Sequence, residues 1–160
     1  IAVIEDGASV AGVVLAPALG ETYWATAGGG AFLNGAAITH SGARDIDDCA
    51  MLGDAAMFKH PSWPQPWPAM RIESRNSLAY RMCLVASGDF DAALAPGPKS
   101  DWDVGAADLI AREAGAVVCD VRGRPYVYNR PQTRQQGLVA AAPDVASLIL
   151  KRLEPIEWPQ

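Results

Sequence analysis

The chain has 160 residues, 50% hydrophobic and 19% charged, which is one domain's worth of core and excludes intrinsic disorder. The formal net charge is −5, and no basic stripe is visible to suit a nucleic-acid polymer. No apolar run reaches the ~18 residues of a membrane span.

Ile1 to Ile4 is apolar and β-branched and reads as a strand. Because the sequence opens inside such a run, the expectation is a natural protein that begins upstream. Asp6-Gly7 is a tight-hairpin signal, and Val10 to Leu15 is the returning strand, closed by Pro17. Glu21 to Thr26 is a third strand. Gly28-Gly29-Gly30 breaks it, and its lack of GxGxxG spacing marks a turn rather than a phosphate cradle. Ala31 to Leu33 and Ala36 to Thr39 flank Asn34-Gly35, a second hairpin. The first forty residues therefore predict an antiparallel meander.

Cys49 to Gly53 reads as a buried strand. Residues 59–68 hold Pro61, Pro64, Pro66 and Pro68, which predicts a surface loop with Trp63 and Trp67 as anchors. Ser77 caps a helix carrying Leu78, Met82 and Val85 and stopped by Gly88. Asp91 to Leu94 is a short strand. The apolar stripe of Val104, Ala107, Ala111 and Ala114 predicts a second helix over 104–114. Strands follow at 117–121 and 138–142, and Pro143 opens a last helix through Leu153. A meander followed by alternating helices and strands predicts a mixed α/β layered fold over residues 1–160 as a single unit.

Cys49, Cys83 and Cys119 are odd in number and form no CxxC pair. They read as buried thiols in a reducing cytoplasm. Residues 1–16 carry no basic leader. His40 and His60 stand alone and read as solvated.

The richest segment is Gly97-Pro98-Lys99-Ser100-Asp101-Trp102-Asp103-Val104-Gly105. It sets carboxylates at a helix start, where they suit either a cap or a hard cation such as Mg²⁺. The residues alone favour the cap, because Mg²⁺ needs several oxygens. Arg81 alone reads as a snorkelling side chain.

Gly29-Gly30-Ala31-Phe32-Leu33-Asn34-Gly35, Cys83-Leu84-Val85-Ala86-Ser87-Gly88 and Asp101-Trp102-Asp103…Glu113-Ala114-Gly115 together resemble the inositol monophosphatase superfamily. The resemblance runs over roughly residues 1–142. It implies an αβαβα layered fold and Mg²⁺-dependent, lithium-sensitive hydrolysis of a small phosphate monoester. It makes Asp103 a metal ligand and Asn76 and Ser77 substrate contacts, although Gly is usual where Asn76 stands. The Gly-Pro-Lys-Ser run and Arg81 are most similar to the 3'(2'),5'-bisphosphate nucleotidase branch, with Arg81 binding a nucleotide phosphate. The Arg usual in that branch is replaced by Ala95, and Ala95-Pro96 also lacks the Glu usual in the inositol branch, so a bisphosphate nucleotide and an inositol monophosphate both stay open as substrates.

The family's upstream Glu and DPxDGT motif do not occur in these 160 residues. The chain thus corresponds to a C-terminal portion, expected to be inactive alone. A non-catalytic truncated binding or assembly module is the competing expectation. A sheet cut from its neighbours also predicts homodimers, or association through an exposed sheet edge.

Overall fold

The computed structural model describes residues 1–158. Strands β1 (Ala2–Glu5) and β2 (Ala8–Ala16) turn through Asp6 and Gly7, whose φ angles are 48° and 79°. Both being positive is what a primed hairpin turn requires. A short 3₁₀ turn leads to β3 (Glu21–Thr26). β4 (Ala31–Leu33) and β5 (Ala36–Ile38) turn through Asn34 and Gly35 at φ 50° and 85°. The order β1-β2-β3-β4-β5 is antiparallel throughout, which is the meander expected from the sequence.

The remaining elements are β6 (Ala50–Leu52), the one-turn helix α1 (Ala55–Phe58), β7 (Arg71–Glu73), α2 (Leu78–Ala86), β8 (Ala92–Ala95) and β9 (Lys99–Ser100). Then come α3 (Asp101–Glu113), β10 (Val117–Cys119), β11 (Arg134–Gln135), β12 (Leu138–Ala141) and α4 (Pro143–Leu153). The second sheet runs β10-β12-β8-β6-β7, with β6 parallel to both its neighbours. β9 and β11 form a separate ribbon.

Two differences from the sequence reading have local causes. Helix α3 starts at Asp101, before the apolar stripe, because Trp102 and Asp103 in its first turn face solvent. The Ser100–Asp103 capping box marks that start correctly. α1, β7, β9 and β11 are too short to show a periodicity. Residues 59–68 form no regular element, as expected.

Helices α2 and α3 lie between the two sheets, α3 on β1 to β4 and α2 on β8 and β12. Their shared core includes Tyr23, Met82, Val85, Val104, Ile110 and Leu138. A second core of Met51, Leu94, Val139, Ile149 and Leu153 fills the space between the second sheet and α4. The described residues therefore build four layers, sheet–helix–sheet–helix. Among them no helix covers the outer face of the first sheet, which exposes Val3, Val13, Leu15 and Trp24.

Small residues set the helix–sheet distance. A Cβ on Gly12 of β2 would lie 2.7 Å from the Ala106 carbonyl oxygen of α3. The far end of α3 is clasped to the Gly28–Gly30 turn, where Glu113 accepts the Gly28 and Gly30 N–H groups at 2.8 and 2.9 Å. The glycine run thus cradles an anion, but one belonging to its own chain.

Candidate functional site

Helix α3 carries Asp101 and Asp103 in its first turn, where the unpaired N–H groups favour negative charge. Asp103 turns one carboxylate oxygen back to accept the Ser100 N–H at 3.3 Å. The side chain is exposed, and its other oxygen accepts no hydrogen bond among the described residues. Capping and an outward-facing ligand oxygen are therefore compatible in one residue. Asp101 is occupied: its carboxylate accepts a hydrogen bond from the Gln135 amide at 2.7 Å.

Lys99, two residues before α3, is half-buried. Burial holds its pKa below the ordinary lysine value, the Arg81 charge lowers it further, and Asp103 acts in the opposite sense. Arg81 and Asp103 therefore both lie within electrostatic reach of Lys99. Arg81 and Lys99 line a cavity of 400 Å³ at the end of β8, together with Asp54, Met57 and Pro96. Arg81 and Lys99 are the two cations that can meet a phosphate, and two carboxylates, Asp54 in the cavity wall and Asp103 near Lys99, balance their charge.

Asn76 and Ser77 are exposed at the start of α2 and do not line that cavity. Ser77 accepts the Tyr80 N–H at 3.3 Å, which is its predicted role as a cap. Its φ of 61° is unusual for a residue with a Cβ and marks a backbone held against its preference. Sequence reasoning missed Lys99 and Asp54 as site residues. Lys99 stood inside the quoted motif, but only its burial beside Arg81 singles it out.

The cysteines are all buried and free. Burial raises their pKa, to about 12 for Cys49 and Cys119, so they are poor nucleophiles. His60 is exposed, whereas His40 is half-buried against Gly115, with its ring accepting the Gly42 N–H at 3.0 Å.

Among the described residues no three metal-binding side chains converge. One outward oxygen on Asp103 does not fill the coordination shell of a hard cation. These residues by themselves do not fit a Mg²⁺ site.

The inositol monophosphatase family profile matches residues 1–157. The chain belongs to that family. It is 30% identical to the Nus factor SuhB of Pasteurella multocida over 163 residues, covering 97% of this chain and 59% of the relative. It is 36% identical to the histidinol-phosphatase of Mycobacterium tuberculosis over 138 residues, covering 77% of this chain and 51% of the relative. An inositol monophosphatase structure from Thermotoga maritima superposes with a TM-score of 0.79 at 26% identity, over 96% of this chain and 59% of that one. The chain thus spans between half and three-fifths of the length of these relatives. The fold is the mixed α/β one that the resemblance implies, with four of its five αβαβα layers among the described residues. No helix among the described residues is long and apolar enough to cross a membrane.

Proposed function

We propose that the protein containing this chain is a phosphomonoesterase that hydrolyses a small phosphate ester, with Mg²⁺ as its metal and the cytoplasm as its compartment. The observation that carries the reading is a 400 Å³ cavity lined by Arg81 and Lys99, with Asp103 in electrostatic reach of Lys99, in a chain of the inositol monophosphatase family. The two cations hold the phosphate group, and the N–H groups opening α3 add to their field. Arg81 offers a planar fork suited to two phosphate oxygens. Asp103 contributes one ligand oxygen to the metal. Asn76 and Ser77, outside that cavity at the start of α2, would meet a substrate only where it extends beyond the cavity. A lithium-sensitive bisphosphate nucleotidase is the finer form of this reading, with Arg81 on the nucleotide's second phosphate.

Phosphate release by the full-length protein tests it, with Mg²⁺ and either inositol 1-phosphate, histidinol phosphate or 3'-phosphoadenosine 5'-phosphate. Asp103→Asn retains an acceptor for the Ser100 N–H, so its stability cost is expected below about 1 kcal/mol. Its rate is expected to fall at least ~100-fold, about 2.7 kcal/mol of barrier. Unchanged Mg²⁺-dependent release by Asp103→Asn would remove the assigned role.

A second reading rests on the single outward carboxylate and the bare outer sheet face. In it, a unit of these 160 residues is a non-catalytic module that assembles through that face, as a homodimer. Turnover by the 160-residue chain alone rejects it.

A further inference from the structure

A cavity of 440 Å³ is lined by the turn after β10, the loop that follows it and β11. It shares no lining residue with the cavity of Arg81 and Lys99. Its wall is polar. Three arginines, Arg124, Arg130 and Arg134, stand there with one carboxylate, Asp120, and three glutamine amides, and only Pro125 and Val127 are apolar. A volume of this size lies in the range of small-molecule sites.

The charges in this wall do not cancel. Asp120 is buried and serves its own turn. One of its oxygens accepts the Arg122 and Arg124 N–H groups at 2.8 and 2.9 Å, and the other accepts the Arg124 Nε–H at 2.7 Å. Its charge is thereby matched to Arg124. Arg130 is held by neutral oxygens alone, donating to the Arg134 carbonyl at 3.2 Å and to the Gln135 side-chain oxygen at 3.1 Å. The Arg134 guanidinium has no partner among the described residues. Asp101, which accepts from Gln135, does not line the cavity. Two guanidinium charges thus line one cavity without a carboxylate of their own, in a chain whose formal net charge is −5. A concave surface with an excess of one sign of charge concentrates ions of the other.

The wall is anchored to paired strands. Gln135 is buried and gives its amide N–H groups to Asp101 at 2.7 Å and to the Val127 carbonyl at 3.0 Å. Arg134 and Gln135 pair in register with Ser100 and Lys99, and the Asp101 N–H donates to the Thr133 carbonyl at 3.0 Å. The backbone carrying Arg134 is therefore held before any ligand arrives, which lowers the cost of binding. A guanidinium presents a planar fork that meets two oxygens of one carboxylate or phosphate group. Two uncompensated forks suit an ion with two such groups. The side chains of Gln132 and Gln136 make no hydrogen bond among the described residues and supply neutral donors beside the forks.

We propose that this cavity is a second anion site, distinct from the cavity of Arg81 and Lys99, for a small oxyanion that carries two or more charged groups. It goes beyond the phosphomonoesterase reading and stands without it.

Calorimetric titration of the metal-free, full-length protein with inorganic phosphate, pyrophosphate and citrate tests the site. The wild type and Arg81→Gln, which removes the first cavity's arginine, should both bind pyrophosphate or citrate at least ~10-fold more tightly than inorganic phosphate, because the larger ions reach both forks. The tighter of the two names the charged group as phosphate or carboxylate. Arg134→Gln removes a guanidinium that no other side chain uses, so the fold is kept, and the binding should weaken about tenfold. Arg130→Gln together with Arg134→Gln should abolish it. In the wild type the Gln135 side-chain amide resonance should move as the ion binds. Failure of both larger ions to bind overturns the inference, as does equal binding of inorganic phosphate. Binding that survives in the double variant, or that is lost in Arg81→Gln, overturns it as well, and so does a Gln135 resonance that stays fixed at saturation.

Discussion

Lys99 shows how much of the site depends on one residue's surroundings. Burial and the Arg81 charge lower its pKa, and Asp103 only partly offsets them. Below that lowered pKa the ammonium attracts phosphate, and above it the amine is neutral. Affinity for inorganic phosphate should therefore decline with rising pH earlier than an ordinary lysine at about 10.4 would allow. Calorimetric titrations from neutral to alkaline pH read this directly. Lys99→Arg, which stays charged, should flatten the profile, and Lys99→Met should weaken binding about tenfold, or ~1.4 kcal/mol. A wild-type profile flat to the ordinary lysine range would separate Lys99 from the phosphate. The capping role of Asp103 was legible from its motif, because Ser-x-x-Asp at a helix start is a local pattern. Lys99 was not, because its burial and its neighbour Arg81 come from elements eighteen positions apart.

At the scale of elements, helix α3 meets the first sheet through two glycines that behave differently. A Cβ at Gly12 would meet the Ala106 carbonyl oxygen at 2.7 Å, and neither backbone yields cheaply. Gly12→Ala should cost about 1–3 kcal/mol in urea unfolding, as overpacking does. A Cβ at Gly105 would meet Ala2 and Tyr128 at 3.7 Å, which is ordinary contact. Gly105→Ala should be neutral or stabilise by up to about 1 kcal/mol, because glycine is a poor helix former. Equal effects at the two positions would mean the helix is free to slide on the sheet. The run of small residues in α3 was visible in the sequence. Which strand it approaches, and which glycine is indispensable, follows from the packing alone.

For the whole molecule, the exposed feature is the outer face of the first sheet, whereas the sequence pointed to a sheet edge. In register, Val13 lies opposite Trp24 and Trp24 opposite Phe32, with the last two rings stacked at 4.2 Å. Leu15 is 62% exposed on the same face. A two-fold pairing of this face would bury both copies of that row. Sedimentation of the 160-residue chain should show a concentration-dependent dimer, and Val13→Lys with Leu15→Lys should return it to monomer. A stable wild-type monomer contradicts the assignment. Local sequence set the meander, the cap of α2 at Ser77, the start of α4 at Pro143 and the buried cysteines. Each of these is set by neighbours within a few residues, through hairpin dipeptides, caps and apolar period. The tertiary structure alone decided that Arg81 and Lys99 line one cavity and that Glu113 meets the Gly28–Gly30 turn. Those depend on which side chains the layers bring together and shield from water, and no local pattern encodes that.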